Sequence, residues 1–256
     1  MPRGSQESDR EALLALYWST GGPRWRNQAG WQEGDPDLNT WFGVALNRFG
    51  RVVKLDLGNN GLQGTIPAAL GDMTELEVLR LSGNGLTGPI PPTISNIICL
   101  KLLDFGSNRL TGCIPVTFGN LTELAKVDLS SNLLRGRIPS AMGDMHSMMM
   151  LWLESNHLEG PIPPELALLP CLTDLDLTGN LIQGGGRLQG SSLAKWRETV
   201  RQGSFPLRSN SEVNLAKKDD EINALKGEVE RLTREIEGMP PPRRPRGNHT
   251  GRSGWR

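Results

Sequence analysis

The residues whose types and spacing invite chemistry are acidic. Asp56, Asp104, Asp128 and Asp176 stand at multiples of 24 residues from one another, and Arg80 and Trp152 fill the two places left in the series. If that interval is one turn of a coiled chain, the carboxylates line a column with neighbours about 4.8 Å apart at the backbone. Carboxylates that close can share a cation. Calcium asks for six or more oxygens from a converging loop, and a flat column supplies few, so no metal is expected. Cys99, Cys113 and Cys171 are too few and too scattered for a disulfide framework. Cys99 and Cys171 share one position three intervals apart, about 14 Å at the same spacing, beyond disulfide reach. Reduced thiols are the expectation. His146 and His157 have no companion ligand set and read as solvated loop residues. No nucleophile elbow, phosphate loop or kinase signature is present. The glycines at 184–186 are followed by no lysine-bearing helix start and read as the exit from the repeats. The chain is expected to carry no catalytic centre and no cofactor.

The 24-residue interval governs everything between 50 and 184. Asn60, Asn84, Asn108, Asn132, Asn156 and Asn180 recur on it. Five residues before each stands Leu55, Leu79, Leu103, Val127, Leu151 or Leu175, and three before stands Leu57, Leu81, Phe105, Leu129, Leu153 or Leu177. A glycine follows four later, at 64, 88, 112, 136, 160 and 184, and Ile-Pro follows at 66–67, 90–91, 114–115, 138–139 and 162–163. Two aliphatics around one variable residue predict a short strand with alternate side chains inward. The asparagine sits where the chain turns, and a buried amide there can bond backbone groups of its own and neighbouring turns, building a ladder. The glycine permits a backbone closed to other residues. Ile-Pro sends one apolar side chain inward and fixes an extended run on the far side. A fixed period of this size means a solenoid, whose single repeat cannot bury its own apolar face.

These columns resemble the plant-type leucine-rich repeat, L-x-x-L-x-L-x-x-N-x-L-x-G-x-I-P, seen in "LEVLRLSGNGLTGPIP" (76–91) and "LTDLDLTGNLIQG" (172–184). The resemblance implies an α/β solenoid, a right-handed superhelix of six repeats over 50–184 with a parallel sheet on its concave face. It is similar to receptor-like ectodomains of this kind, without their signal peptide, membrane segment or kinase.

The flanks read as caps. In segment 1–49, residues 1–7 are expected to be disordered and Ser8 with Glu11 to form a capping box. Leu13, Leu16 and Tyr17 then share a helix face, and Gly21, Gly22 and Pro23 stop the helix. Trp25, Trp31 and Trp41, ending in "WFGV" (41–44), are expected to bury the open end of the first repeat. This stretch resembles the family's N-terminal cap. Secreted members carry a cysteine pair there and this chain has none, so the cap must hold by packing. In segment 185–209, Ser191 or Ser192 caps a helix that Gly203 ends, with Leu193, Trp196 and Val200 on one face. In 210–238, Leu215, Ile222, Leu225, Val229, Leu232 and Ile236 fall on heptad positions, a short coiled-coil helix that allows weak self-association. Residues 239–256 carry five arginines and no acid, a composition that predicts disorder.

Three outward columns of the concave face are expected to bind. The first is Lys54, Val78, Leu102, Lys126, Met150 and Asp174. The second is Asp56, Arg80, Asp104, Asp128, Trp152 and Asp176, and the third is Gly58, Ser82, Gly106, Ser130, Glu154 and Thr178. Trp152, beside Met149 and Met150 and continued by Leu102 and Val78, reads as an apolar anchor set among carboxylates. Residues 1–184 hold 13 Lys/Arg and 19 Asp/Glu in a chain of net charge zero. An acidic body with a basic remainder predicts a protein or peptide partner of basic or amphipathic character, and no nucleic acid. The N-terminus lacks an apolar leader and no run of 18 apolar residues occurs, so no membrane span is expected. The placement expected is cytoplasmic, with the sequon Asn120-Leu-Thr122 unmodified. The alternatives are an extracellular or cell-surface receptor fragment whose leader lies outside this sequence, or the regulatory part of a receptor-like kinase.

Overall fold

The computed structural model describes residues 5–31, 37–183 and 185–202. Helix α1 (Gln6–Ser19) opens the chain. Eight strands follow in one sheet: β1 (Val44–Leu46), β2 (Val52–Asp56), β3 (Val78–Arg80), β4 (Leu102–Asp104), β5 (Lys126–Asp128), β6 (Met150–Trp152), β7 (Asp174–Asp176) and β8 (Arg187–Gln189). Helix α2 (Gly190–Gln202) closes the described part. The strands lie in sequence order. β2 to β7 are parallel, one per repeat, and register follows the 24-residue interval: Arg80 pairs with Asp56 and Asp104, Trp152 with Asp128 and Asp176. β1 and β8 run antiparallel to β2 and β7. Repetition in the sequence does not announce these two edge strands, because they lie outside the repeats.

Each repeat has three walls. After its strand the chain turns at the asparagine and enters a lateral strand. These lateral strands form two three-stranded parallel sheets, Gln63–Thr65 with Gly85–Pro89 and Arg109–Thr111, and Arg135–Gly136 with His157–Pro161 and Leu181–Gln183. Ile-Pro then leads into a five-residue 3-10 turn, as in Val116–Asn120 behind Pro115 at φ −61°. The proline's fixed φ suits the turn's entry and its missing N–H costs nothing there. The 3-10 turns stack so closely that a Cβ on Gly119 would lie 2.4 Å from the Ala141 carbonyl oxygen of the next repeat. The inward aliphatics Leu55, Leu79, Leu103, Val127, Leu151 and Leu175 are all 0% exposed, in one continuous core.

The ladder forms as the sequence predicts. Asn132 donates from Nδ2 to the carbonyls of Phe105 (3.0 Å), Leu129 (3.2 Å) and Ser130 (3.0 Å), and its Oδ1 accepts from Leu110 N–H (2.9 Å). Asn108, Asn156 and Asn180 repeat the pattern, each tying its own turn to the one before. Asn84 takes two backbone donors, Asn60 and Leu62, both at 3.0 Å. Asn60 has no repeat before it and bonds the cap instead. It accepts from Asn27 N–H (2.7 Å) and donates to the Asn27 carbonyl (2.8 Å). The residue before the ladder asparagine is left-handed even where it is not glycine: Asn59, Ser107, Ser131 and Ser155 have φ of 51–56°.

The N-terminal cap corrects two expectations. The capping box is Ser5 with Ser8, not Ser8 with Glu11, and the helix begins at Gln6, so residues 6 and 7 are helical. Ser5 Oγ accepts from Ser8 N–H (3.1 Å) and Ser8 Oγ accepts from Ser5 N–H (2.9 Å), which lets the helix start one turn earlier. Trp25, Trp31 and Trp41 are 5%, 0% and 1% exposed, as a cap requires, with ring centroids 4.8 and 4.9 Å apart in succession. A buried ion pair joins cap to sheet. Asp9, 0% exposed, accepts from Arg51 Nε (2.8 Å) and Nη2 (3.0 Å) and from Val52 N–H (3.0 Å). At the other end, α2 buries Leu193 and Val200 and half-buries Trp196, the face the spacing predicts, and starts at Gly190 rather than after Ser191. Arg197 Nη2 donates to the carbonyls of Leu169 (2.6 Å) and Leu172 (3.1 Å). The heptad segment, the arginine-rich tail, Gly184 and Gly203 lie outside the described residues.

Truncating a ladder rung should cost in proportion to its burial. Asn132→Ala leaves the buried Leu110 N–H without a partner and takes one of two donors from each of the Phe105, Leu129 and Ser130 carbonyls, a loss of about 3 kcal/mol. Asn180→Ala, at a half-buried rung, is expected to lose about half that. Urea unfolding of both variants checks the ranking.

Candidate functional site

The outward side chains of β2–β7 form one face, and its character is ionic. Arg80 sits between two carboxylates, with Nε 3.1 Å from Asp104 Oδ2, off the hydrogen-bond direction, and Nη1 3.9 Å from Asp56 Oδ2. Lys54 Nζ approaches the same Asp56 oxygen at 3.8 Å. Small residues in the third column make room for these long side chains. A Cβ on Gly106 would meet Asp128 Oδ1 at 2.8 Å. Hydroxyls in the same column brace the carboxylates: Ser82 donates to Asp104 (2.8 Å), Ser130 to Asp128 (2.6 Å) and Thr178 to Asp176 (2.7 Å).

The apolar strip expected from the sequence is not open. Val78 and Leu102 are 2% and 3% exposed because they pack on each other across β3 and β4. Met149 is buried with Ala125 and Cys171 just before the strands, and only Met150 is half-exposed. Trp152 is half-buried. Lys126 Nζ lies 4.1 Å above its ring centroid, and its indole N–H donates to Asp174 Oδ2 at 3.0 Å. Both the face and the polar edge of the indole are therefore occupied by neighbours one strand away. The alternation rule places a side chain outward but says nothing about what its neighbours do with it.

Arg187 is the site residue that sequence reasoning missed. From β8 it reaches back over β7, with Nη2 2.7 Å and Nε 3.2 Å from the two Asp174 oxygens, and Nε 3.6 Å from Asp176 Oδ2. Its signal was a lone arginine between two glycine-rich stretches, which no periodicity marks. Glu154 stands beside this cluster with Asp128 and Asp176 as like-charged neighbours. Its Oε2 is buried without a hydrogen-bond donor. Burial, then those two charges, push its carboxyl above the ordinary value. Burial also raises Asp104, with Asp128 adding to the rise and Ser82 and Arg80 opposing it. Among the described residues no group of three His, Cys, Asp or Glu side chains is arranged to hold a metal ion. The three cysteines are free: Cys99 half-buried, Cys113 exposed and Cys171 buried. His146 is half-buried, its ring nitrogen against the Asp144 carbonyl, and His157 is exposed at the head of a lateral strand. No described helix is long and apolar enough to cross a membrane.

Comparison with known proteins agrees with this architecture. Two family models match, both described as leucine-rich repeat, one at residues 51–73, 75–97 and 99–121 and one at 122–182. A probable leucine-rich repeat receptor-like protein kinase of Arabidopsis thaliana is 35% identical over 74 residues, 28% of this chain and 7% of the kinase. Among solved structures, a chain of the BIR3–SERK2 complex from Arabidopsis thaliana is 32% identical, with a TM-score of 0.60 over 68% of this chain and 94% of that one. The ectodomain of the Arabidopsis thaliana membrane receptor kinase GASSHO1/SCHENGEN3, solved with CASPARIAN STRIP INTEGRITY FACTOR 2, is 32% identical at a TM-score of 0.63. That match covers 68% of this chain and 21% of the ectodomain. This chain thus spans a small part of the receptor-like kinase and of the GASSHO1/SCHENGEN3 ectodomain.

The middle of the face can be titrated. The folded Asp104 binds its proton more tightly than an unfolded aspartate does. Its contribution to stability is therefore full below the unfolded value and is lost as pH rises through the raised folded value. Carboxyl NMR should find its midpoint above that of an ordinary aspartate. Asp128→Asn removes a like charge and should move the midpoint down, and Ser82→Ala should move it up.

Proposed function

We propose that this chain, which belongs to the leucine-rich-repeat family, is a non-catalytic module that binds a protein or peptide across the concave sheet. The observation that carries this reading is the face itself. It is a rigid eight-stranded sheet whose outward columns hold charged side chains in fixed register, with carboxylates braced by hydroxyls. Such a surface is preorganised, so a ligand meets groups that need no further ordering. The residues assigned to contact are Lys54, Asp56, Arg80, Asp104, Lys126, Asp128, Met150, Trp152, Glu154, Asp174 and Asp176. Acid outweighs base among them, which favours a basic or amphipathic ligand by charge complementarity. Trp152 serves through the part of its ring that Lys126 and Asp174 leave uncovered and through Met150 beside it, rather than as a bare anchor.

The proteins with this architecture support binding of this kind. GASSHO1/SCHENGEN3 was solved with CASPARIAN STRIP INTEGRITY FACTOR 2, and HAESA with a peptide hormone. The same comparisons favour a second reading of placement, since both relatives are described as ectodomains of receptor kinases. On that reading the chain is a piece of a cell-surface receptor. The free thiols and the cap without a cysteine pair support the cytoplasmic placement instead.

Selection of a random peptide library on the full chain tests the module reading. Peptides rich in Lys and Arg are expected, and they should bind the combined Asp104→Asn, Asp128→Asn, Glu154→Gln variant about ten-fold or more weakly, with unfolding unchanged. Selected peptides that bind the variant equally well would move the site off this face.

A further inference from the structure

The lateral walls alternate as the concave strands do. Arg109, Leu110 and Thr111 are exposed, buried and exposed in turn. In the first two repeats the outward lateral residues are uncharged: Gln63, Thr65, Thr87 and Pro89. The next two repeats place Arg109, Arg135 and Arg137 there, all exposed. Backbone bonds from Leu133 N–H to the Leu110 carbonyl (2.9 Å) and from Arg135 N–H to the Gly112 carbonyl (2.8 Å) set these two walls side by side. With about 4.8 Å between strands and about 6.6 Å between alternate residues, Arg109 stands one strand from Leu133. Arg135 and Arg137 take the next two outward places along the wall that Leu133 begins. Leu133 itself is 42% exposed, and Leu181, two repeats on, is 70% exposed.

Elsewhere carboxylates of this chain hold its arginines: Asp9 holds Arg51, Asp104 holds Arg80 and Asp174 holds Arg187. Among the described residues no carboxylate lies within salt-bridge distance of Arg109, Arg135 or Arg137. Glu159, exposed on the following wall, pairs with none of them. Arg137 is nevertheless placed. Its stem crosses to the next repeat, where a Cβ on Gly160 would lie 3.1 Å from its Cγ and 3.2 Å from its Nε. The backbone is already paired on both sides, since His157 N–H donates to the Leu134 carbonyl (2.8 Å). No strand can be added there, so a ligand must be met by side chains. Arginine sheds hydration readily and its fork fits a carboxylate, and an aliphatic neighbour gains by being covered. A phosphate backbone offers Leu133 nothing apolar. Nucleic-acid binding also rests on many phosphate contacts, which the 19 Asp/Glu against 13 Lys/Arg of residues 1–184 oppose.

We propose that this flank is a second docking surface, for an acidic segment of a partner protein that carries an aliphatic side chain. The aliphatic group packs on Leu133. Carboxylates on alternate residues of an extended segment, about 6.6 Å apart, meet Arg135 and Arg137, and a further acid meets Arg109. The flank is opposite in charge to the concave face and does not depend on it. One chain can therefore hold a basic ligand on the sheet and an acidic partner on its side, which makes it a bridge between the two.

The probe is a displayed library of short peptides built from Asp, Glu, Ser, Gly and Leu. It is selected on the full native chain and counter-selected on the full Arg135→Gln, Arg137→Gln variant. That variant keeps the arginines of 239–256, so peptides held by them are discarded. Recovered peptides should carry a Leu beside alternating acids and bind the native chain about ten-fold more tightly than the variant. Leu133→Ser should weaken them about five-fold, with urea midpoints unchanged because all three side chains are exposed. A bound peptide should slow alkylation of Cys113, which is exposed and whose Sγ would lie 2.9 Å from a Cβ on Gly136, and leave Cys99 at its own rate. No recovered peptide, unchanged affinity in Leu133→Ser, or unchanged Cys113 alkylation under saturating peptide each overturns the proposal. A DNA duplex or a phosphatidylserine vesicle that binds more tightly than the peptides, and is lost in the same variant, assigns the flank to a polyanion and overturns it too. Basic peptides selected on the concave face should bind the arginine variant as they bind the native chain, so the two surfaces stand or fall separately.

Discussion

Everything in the molecule hangs on one buried amide per turn. The asparagine at the end of each concave strand shares its two amide N–H donors among three carbonyls and accepts on its oxygen from a backbone N–H of the preceding repeat. It adds a donor to carbonyls of its own turn and of the turn before, including Ser130, which also accepts from Ser107 N–H. Asn132 does so at 4% exposure, joined to Phe105, Leu110, Leu129 and Ser130. Because each rung grips the preceding repeat as well as its own, stacking distance and register are set together. The flat strand columns, and so the spacing of the carboxylates, follow from that. The strained left-handed residue before each rung, such as Ser131 at φ 51°, persists because the rung over-determines it.

The N-terminal cap joins the ladder by imitation. Asn27 offers Asn60 a backbone N–H and carbonyl at the places where a previous repeat would have offered them. The aromatic cluster then supplies the apolar floor, and the Asp9–Arg51 pair fixes the helix to the first strand. No disulfide is involved. Packing and one buried ion pair replace it, which is consistent with three free thiols elsewhere.

How much of this was legible in the sequence depends on whether a feature repeats. The ladder, the inward aliphatics, the strand register and the solenoid all recur six times, and chance cannot imitate that. The single-copy features were harder. The antiparallel strands at 44–46 and 187–189 and the Asp9–Arg51 pair lie where there is nothing to align them with. The usual signature points to a capping box one turn late, because Ser5 and Ser8 satisfy each other without the glutamate that signature contains. On the concave face the sequence period yields the columns but not their exposure. Side-chain direction follows from alternation, but whether Val78 meets water depends on Leu102 one strand away, and whether Trp152 is bare depends on Lys126 and Asp174. Arg187, the residue nearest the acidic cluster, comes from outside the repeats altogether.

The sheet's two antiparallel borders set how such a molecule can change size. Each border presents its neighbour with a strand running the wrong way for another repeat, so growth at either end is blocked. The interior is different. Any unit that begins and ends on a rung can be duplicated or removed without disturbing either border. Length is therefore counted in whole units, each adding one strand spacing of about 4.8 Å to the face. Selection acts on this surface in steps, as on beads added to the middle of a sealed string, and the charges at its far end keep their distance from the terminus whatever the count.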